Sequence, residues 1–286
     1  GEISYTMQTE NLGEFEFGAG LRYYDLEDHE KAEIKGIWGS TDDDGVHIVE
    51  IRDNGGSESG NRKKFTTSWR PNADMSIYGI YSEGYRPGGN NIAILPQSCR
   101  NDPNAVYYQA RYESDQIKNK EVGYKASMLG GKFNISSAVY QIDWTGVQAE
   151  IRMGCGFGFT ANAATARSRG MEIETSSRLT DDLTLTVNLG YTNSKMLEAV
   201  ESIDAKAGDD MTQVPEYNYY LALDQGISIF DRRAYIRLDI EGYGEYKSHF
   251  KATDEDIISA YEKVNLSTRI DINDKLNMSL HINNLF

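Results

Sequence analysis

No stretch of this sequence approaches the roughly eighteen consecutive apolar residues of a membrane-spanning helix, and only 39% of its 286 residues are hydrophobic. Those two facts leave open a membrane protein built from strands, because apolar-out, polar-in alternation dilutes any average of hydropathy. Cationic residues are also short. The 29 Lys and Arg against 44 Asp and Glu leave a net charge of −15, which is repelled by a phosphate backbone and argues against a nucleic-acid partner. Histidine and cysteine are rarer still. His29, His47, His249 and His281 are scattered, and neither they nor Cys99 and Cys155 stand at metal-ligand spacing. No nucleophile elbow, phosphate loop or dinucleotide fingerprint occurs; GGNN (88–91) and GFGF (156–159) lead into no helix. The sequence therefore points to no enzyme, no cofactor and no metal site. Its start carries no signal peptide and opens almost at once into a strand-like pattern, so the chain is expected to be a piece of a longer precursor.

Aromatic residues, by contrast, are plentiful: 19 Tyr, nine Phe and three Trp. Such side chains suit strands and the interface girdles of membrane barrels. The dominant rhythm is alternation with period two. Leu183, Leu185, Val187, Leu189 and Tyr191 oppose Thr184, Thr186, Asn188, Gly190 and Thr192. Phe15, Phe17, Ala19, Leu21 and Tyr23 oppose Glu14, Glu16 and Arg22 in the same way. The pattern returns at 236–241, 264–272 and 276–283, with no competing helical periodicity. The chain reads as all-β.

Turn residues then divide the strands. Short turns are expected at ENLGE (10–14), RPNAD (70–74), LGGK (129–132), LTDD (179–182), FDRR (230–233) and INDK (272–275), each rich in the residues that turn geometry favours. Between them lie long polar segments at 26–61, 87–116, 145–164, 196–215 and 247–257. Short and long connections alternate, so about twelve strands make six hairpins with all long loops at one end of the sheet. A soluble sandwich has no reason to sort its loops this way, whereas an outer-membrane barrel does. Acidic runs at 40–45, 207–210 and 253–257 fall in the long segments and read as solvated loops, with calcium as the alternative ligand chemistry. The N-x-S triplets at Asn134, Asn265 and Asn277 sit inside expected strands, which argues against glycan acceptors.

IYGIYSEGYRPGGNN (77–91) is a tyrosine-rich strand running into a Gly-Tyr-Arg-Pro-Gly-Gly turn. It resembles a strand and loop of the TonB-dependent outer-membrane receptors. NKEVGYKASMLGGKFNISSAVYQIDWTGVQ (119–148), CGFGFTANAATARSRGMEIE (155–174), VPEYNYYLAL (214–223) and LNMSLHINNLF (276–286) resemble further segments of that family, in the same order. The resemblance covers most of the chain and is to the C-terminal part of the barrel domain. It implies a transmembrane antiparallel β-barrel of about 22 strands with a plugged lumen, of which this chain supplies about twelve. Plug, coupling segment and final strand would lie outside these 286 residues. The implied function is uptake of a scarce nutrient, an iron–siderophore chelate above other small molecules or oligosaccharides. The implied partners are outer-membrane lipid and an inner-membrane TonB complex acting through the plug. A passive porin-like channel and a soluble carbohydrate-binding module are the alternatives.

Cys99 and Cys155 fall in neighbouring long segments, which the alternation places at the same end. They are expected to form a disulfide in oxidising surroundings, the alternative being two unrelated thiols. Closing so long a loop is worth about 4 kcal/mol on a chain-entropy model. For ligand contacts the candidates are Arg86, Asn90 and Asn91 in the RPGGNN turn, with Phe157 and Phe159 in the next long segment. Arg86 either meets an anionic chelate or holds its own turn, and the two phenylalanines either stack on a ligand or pack on a neighbouring loop. Trp38 and Trp144 are read as members of an interface belt.

Overall fold

The computed structural model describes residues 1–34, 50–91, 95–251 and 253–285. Twelve strands form one antiparallel sheet in sequence order. They are β1 (Glu2–Thr9), β2 (Gly13–Ile34), β3 (Glu50–Asn72), β4 (Met75–Arg86), β7 (Asp115–Met128) and β8 (Phe133–Arg152), followed by β9 (Gly158–Arg178), β10 (Leu183–Met196), β11 (Tyr217–Ile229), β12 (Arg232–Tyr243), β15 (Tyr261–Asn273) and β16 (Leu276–Ile282). Two short ribbons sit in the loops: β5 (Gly89–Asn90) with β6 (Arg111–Tyr112), and β13 (Tyr246–Lys247) with β14 (Ile257–Ile258). All six expected tight turns are present at one end. Phe230 and Asp231, both at positive φ (50° and 60°), make the two-residue turn between β11 and β12, a conformation whose twist matches the flanking strands. Gly13 is needed at the first turn, where a Cβ would lie 2.1 Å from the Arg70 carbonyl oxygen.

Register assigns the faces. Tyr5, Phe17, Thr67, Gly79, Val122, Val139, Met171, Tyr191 and Tyr217 stand directly opposite one another from strand to strand. Opposed residues in an antiparallel pair project to the same side. The adjacent row runs Glu16, Ser68, Tyr78, Gly123, Ala138, Glu172, Gly190 and Asn218. One face is thus apolar and aromatic, and the other polar and small. Tyr5, Phe17, Val122 and Val139 are 65%, 47%, 57% and 57% exposed, a surface that water would penalise and hydrocarbon would not. In β4, Ile77 and Tyr81 belong to the apolar face and Tyr78 and Ile80 to the polar one, so aromatic residues on both sides conceal an ordinary alternation. Tyr78 lies across Gly123, where a Cβ would come within 2.3 Å of its ring, and donates to Glu121 at 2.9 Å. Among the described residues β1 and β16 each pair on one side only.

The expected long loops need two corrections. The segment 26–61 is mostly strand: β2 runs to Ile34 and β3 starts at Glu50, paired residue for residue. Likewise β8 and β9 continue to Arg152 and from Gly158, which shortens the 145–164 loop to five residues. Spanning a bilayer takes about 9–11 tilted residues, so these strands project well past it. There both faces are wet, no residue is selected to be apolar, and the period-two signal disappears while backbone pairing persists. The acidic run at 40–45, Trp38 and His47 lie outside the described residues. Trp144 is also reassigned. Its register partners are Ile117 and Ala166, on the polar face, so it is not part of an outer belt. Trp69 holds such a place instead, stacked 6.0 Å from Phe15 and donating its indole N–H to the Leu12 carbonyl at 2.7 Å.

Conventional buried cores occur only at the long-loop end among the described residues. Val147, Ala164, Ala166, Met196, Val200 and Ala205 form one; Cys99, Ile151, Met153, Phe157 and Phe159 form the other.

Candidate functional site

The long-loop end is built around the turn that follows β4. Arg86 donates from its backbone N–H (3.0 Å) and its Nε (2.7 Å) to the carboxylate of Asp115, the first residue of β7. Asp115 is fully buried, while the Arg86 side chain is 47% exposed. The guanidinium also lies 4.8 Å from the Trp144 ring centre, a cation–π distance. Gln148 closes the turn from below, donating to the carbonyls of Pro87 (2.8 Å) and Glu113 (3.1 Å).

The two asparagines continue this framework. Asn90 donates to the Asp28 carboxylate and accepts from Arg111 at 3.3 Å. Arg111 itself bonds Asp28 at 2.6 Å. That bond, together with the one from Asn90, holds the Asp28 carboxyl below its ordinary range despite the opposing effect of partial desolvation. Asn91 is buried and behaves as a peptide group set sideways. Its amide donates to the carbonyls of Gln109 (2.8 Å) and Thr160 (2.6 Å), and its carbonyl accepts from the Thr160 N–H at 2.8 Å.

Cys99 and Cys155 are joined by a disulfide. It ties the loop after β4 to the loop after β8, beside Phe157 and Phe159, which are 7% and 3% exposed. Tyr108 meets Phe159 edge-on at 5.3 Å and Phe157 at 6.3 Å. The structure thus gathers all seven singled-out residues at one end, with the phenylalanine rings occupied by loop packing.

The acidic runs that are described have structural partners. Asp210 is ion-paired to Lys195 at 2.6 Å, and Asp209 accepts from the Lys206 N–H at 2.8 Å. Asp256 accepts from the Thr253 N–H and hydroxyl at 3.1 and 2.9 Å, which lowers its carboxyl. Among the described residues no group of three or more potential ligands surrounds a point where a metal ion would sit.

One further cluster carries no local sequence signature. Tyr24 and Tyr85 stack at 3.9 Å, and the Arg62 guanidinium sits 5.1 and 4.9 Å from their ring centres while donating to the Tyr24 hydroxyl at 2.9 Å. Tyr24 also bonds Glu58 at 3.3 Å. Only strand register brings these residues together, and no local motif announces them. The result is a guanidinium lying beside a stacked tyrosine pair whose inner member, Tyr24, is buried.

Residues 3–285 match the family model described as TonB dependent receptor-like, beta-barrel. The ferric yersiniabactin uptake receptor FyuA from Yersinia pestis superposes with a TM-score of 0.76 at 15% identity, over 95% of this chain and 38% of that one. The ferric-catecholate import receptor Fiu from K12 E. coli, in its closed form, gives 0.68 at 15% identity, over 98% and 39%. BauA, the ferric preacinetobactin receptor from Acinetobacter baumannii, gives 0.67 at 12% identity, over 99% and 38%. At these identities the likeness is one of fold, and the chain spans less than two-fifths of each receptor's length.

Proposed function

Because the chain belongs to the TonB-dependent receptor family, through its β-barrel domain, we propose that it forms wall and mouth of an outer-membrane importer of a scarce nutrient. An iron–siderophore chelate is the substrate class favoured, with energy drawn from an inner-membrane TonB complex. The observation that carries this reading is the family match over 3–285 together with a sheet whose faces divide into apolar and polar and whose loops sort by length. On this reading the twelve strands are part of a larger barrel, with plug and last strand contributed from outside residues 1–286.

Within the mouth, the five candidate ligand residues divide by exposure. Arg86 keeps about half its side chain exposed, which supports it as the residue that meets an anionic chelate. Asn90, Asn91, Phe157 and Phe159 act by holding the loops that frame it. Arg62 and Tyr85, both part-exposed beside the buried Tyr24, are added as contacts.

The test is uptake of radiolabelled ferric chelates by iron-starved cells with and without the full-length gene. Uptake that requires both the gene and an intact TonB complex is expected. Uptake that persists when the proton gradient is collapsed would instead indicate a passive channel. A full-length protein that fractionates as soluble would remove the barrel reading altogether.

A further inference from the structure

Trp144 stands on the polar face where the sheet meets the long loops. Register places it between Ile117 of β7 and Ala166 of β9, and Ala166 in turn opposite Met196 of β10. Ala166 and Met196 are buried and share a core with Val147, Ala164, Val200 and Ala205, against which Trp144 packs. Val200 and Ala205 belong to the loop after β10, as do Ile203 and Met211, and Phe250 joins the same core from the loop after β12. Trp144 thus rests on two loops, while Arg86 at the end of β4 holds its guanidinium 4.8 Å from the ring centre.

Apart from Arg86, packing sets the tilt of that ring. A buried indole N–H ordinarily finds an acceptor, as that of Trp69 does in the Leu12 carbonyl at 2.7 Å. The Trp144 Nε1 is buried, and among the described residues it has no hydrogen-bond partner. A ring without that tether follows the surface it lies on. That surface is well fastened. Val200 and Ala205 exchange two backbone hydrogen bonds (2.7 and 3.1 Å), the Tyr107 hydroxyl donates to Glu201 at 3.2 Å, and Lys251 pairs with Asp204 at 2.5 Å. Ile203 packs on this core and on the disulfide core alike, which makes the two one body. Arg86, by contrast, has a half-exposed side chain, and beyond Asp115 its further hydrogen bond is a long one, 3.4 Å to the Gln148 carbonyl. The aromatic face is therefore a principal restraint on the exposed part of its guanidinium.

We infer that Trp144 is the positioning residue of the mouth: the loops after β10 and β12 set the tilt of its ring, and the ring sets where Arg86 presents its charge. This rests on the reading of Arg86 as the contact for an anionic chelate. Loop residues such as Val200, Ile203 and Phe250 then govern that contact through Trp144. The dependence is mutual, since a ring that loses its cation also loses one of the contacts that hold it on the loop core.

The experiment uses the full-length protein in detergent with no chelate added, so it judges Trp144 alone, whereas the uptake assay judges the importer reading. Amide exchange across residues 197–211 should rise about two- to fivefold in Arg86→Gln, the range of a part-exposed cation–π contact. In Trp144→Leu that exchange should already be raised, and adding Arg86→Gln should change it no further, because both act through one contact. Trp144→Phe keeps an aromatic face without the N–H and should preserve the response to Arg86→Gln. Lys125→Gln removes a cation 5.6 Å from another inward ring, that of Tyr78, and should leave 197–211 as in the wild type. With 5-fluorotryptophan in place of tryptophan, the fluorine NMR line of Trp144 is assigned by its loss in Trp144→Phe. It should move in Arg86→Gln and also in Ile203→Ala, which alters the core from the loop side. An unmoved line in either variant overturns the role. So does an exchange response to Arg86→Gln that is absent in the wild-type background, that is the same with leucine at 144 as with tryptophan, that is lost with phenylalanine there, or that Lys125→Gln reproduces.

Discussion

At the scale of single residues, the Arg86–Asp115 pair is asymmetric, and its two halves should fail differently. Asp115 is fully buried and Arg86 half exposed. Arg86→Ala leaves a buried carboxylate with only a backbone N–H, a loss of about 2–3 kcal/mol after discounting for the exposed partner. Asp115→Ala leaves a guanidinium that can reach water and still lies against Trp144, so about 1 kcal/mol is expected. Amide hydrogen exchange of residues 86–91 would measure both, and equal protection losses would refute the asymmetry. Asp28 supplies a pH test. Its folded carboxyl is lowered from an ordinary value of 3.8 by Arg111 first and Asn90 next. A depressed carboxylate stabilises above the unfolded value and is lost as pH falls through the folded one. Exchange protection around Asn90 and Arg111 should therefore be constant from pH 5 to pH 8, as far as this pair contributes, and fall only in stronger acid.

At the scale of elements, the disulfide and the strand extensions make the mouth a compact unit. Reducing Cys99–Cys155 should leave the sheet paired while raising proteolytic cleavage between residues 95 and 114 by roughly tenfold. The full loop-entropy value of about 4 kcal/mol is an upper figure here, because the flanking strands already hold the loop ends together. A gel assay of the intact and nicked chain reads the result. The six tight turns were legible because Gly13, Pro71 and the Leu129–Gly131 run are needed for their backbone angles or sharp reversals. Cysteine pairing was legible because the loops alternate. The extensions of β2 and β3 were not, because Asp25, Glu27 and His29 on one face alternate with Asp28 and Glu30 on the other, so neither row is apolar. Nor was the Tyr24–Arg62–Tyr85 stack, whose members belong to three strands and meet only through register.

At the scale of the whole molecule, the two faces predict opposite responses to the same change at neighbouring positions. Val139 projects from the apolar face, so Val139→Lys should cost about 2–4 kcal/mol near the bilayer midplane and reduce the yield of assembled, heat-modifiable barrel. Ala138 projects to the polar face directly opposite Glu172. A lysine there gains a carboxylate neighbour, and assembly should be near that of the wild type. Impaired assembly of Ala138→Lys alone would mean that the faces have been assigned the wrong way round, and equal impairment of both variants would mean that the two faces do not differ.

The location of the buried cores gives the molecule an uneven response to temperature. The wall needs little apolar packing of its own, since hydrocarbon takes that part and strand pairing supplies the order. The mouth, with Ile151, Met153, Phe157 and Phe159 clustered at the disulfide, is held as a water-soluble domain is held. Stabilisation of that kind weakens on cooling because apolar hydration carries a large heat capacity. In a cold cell the receptor would keep its wall and loosen its entrance.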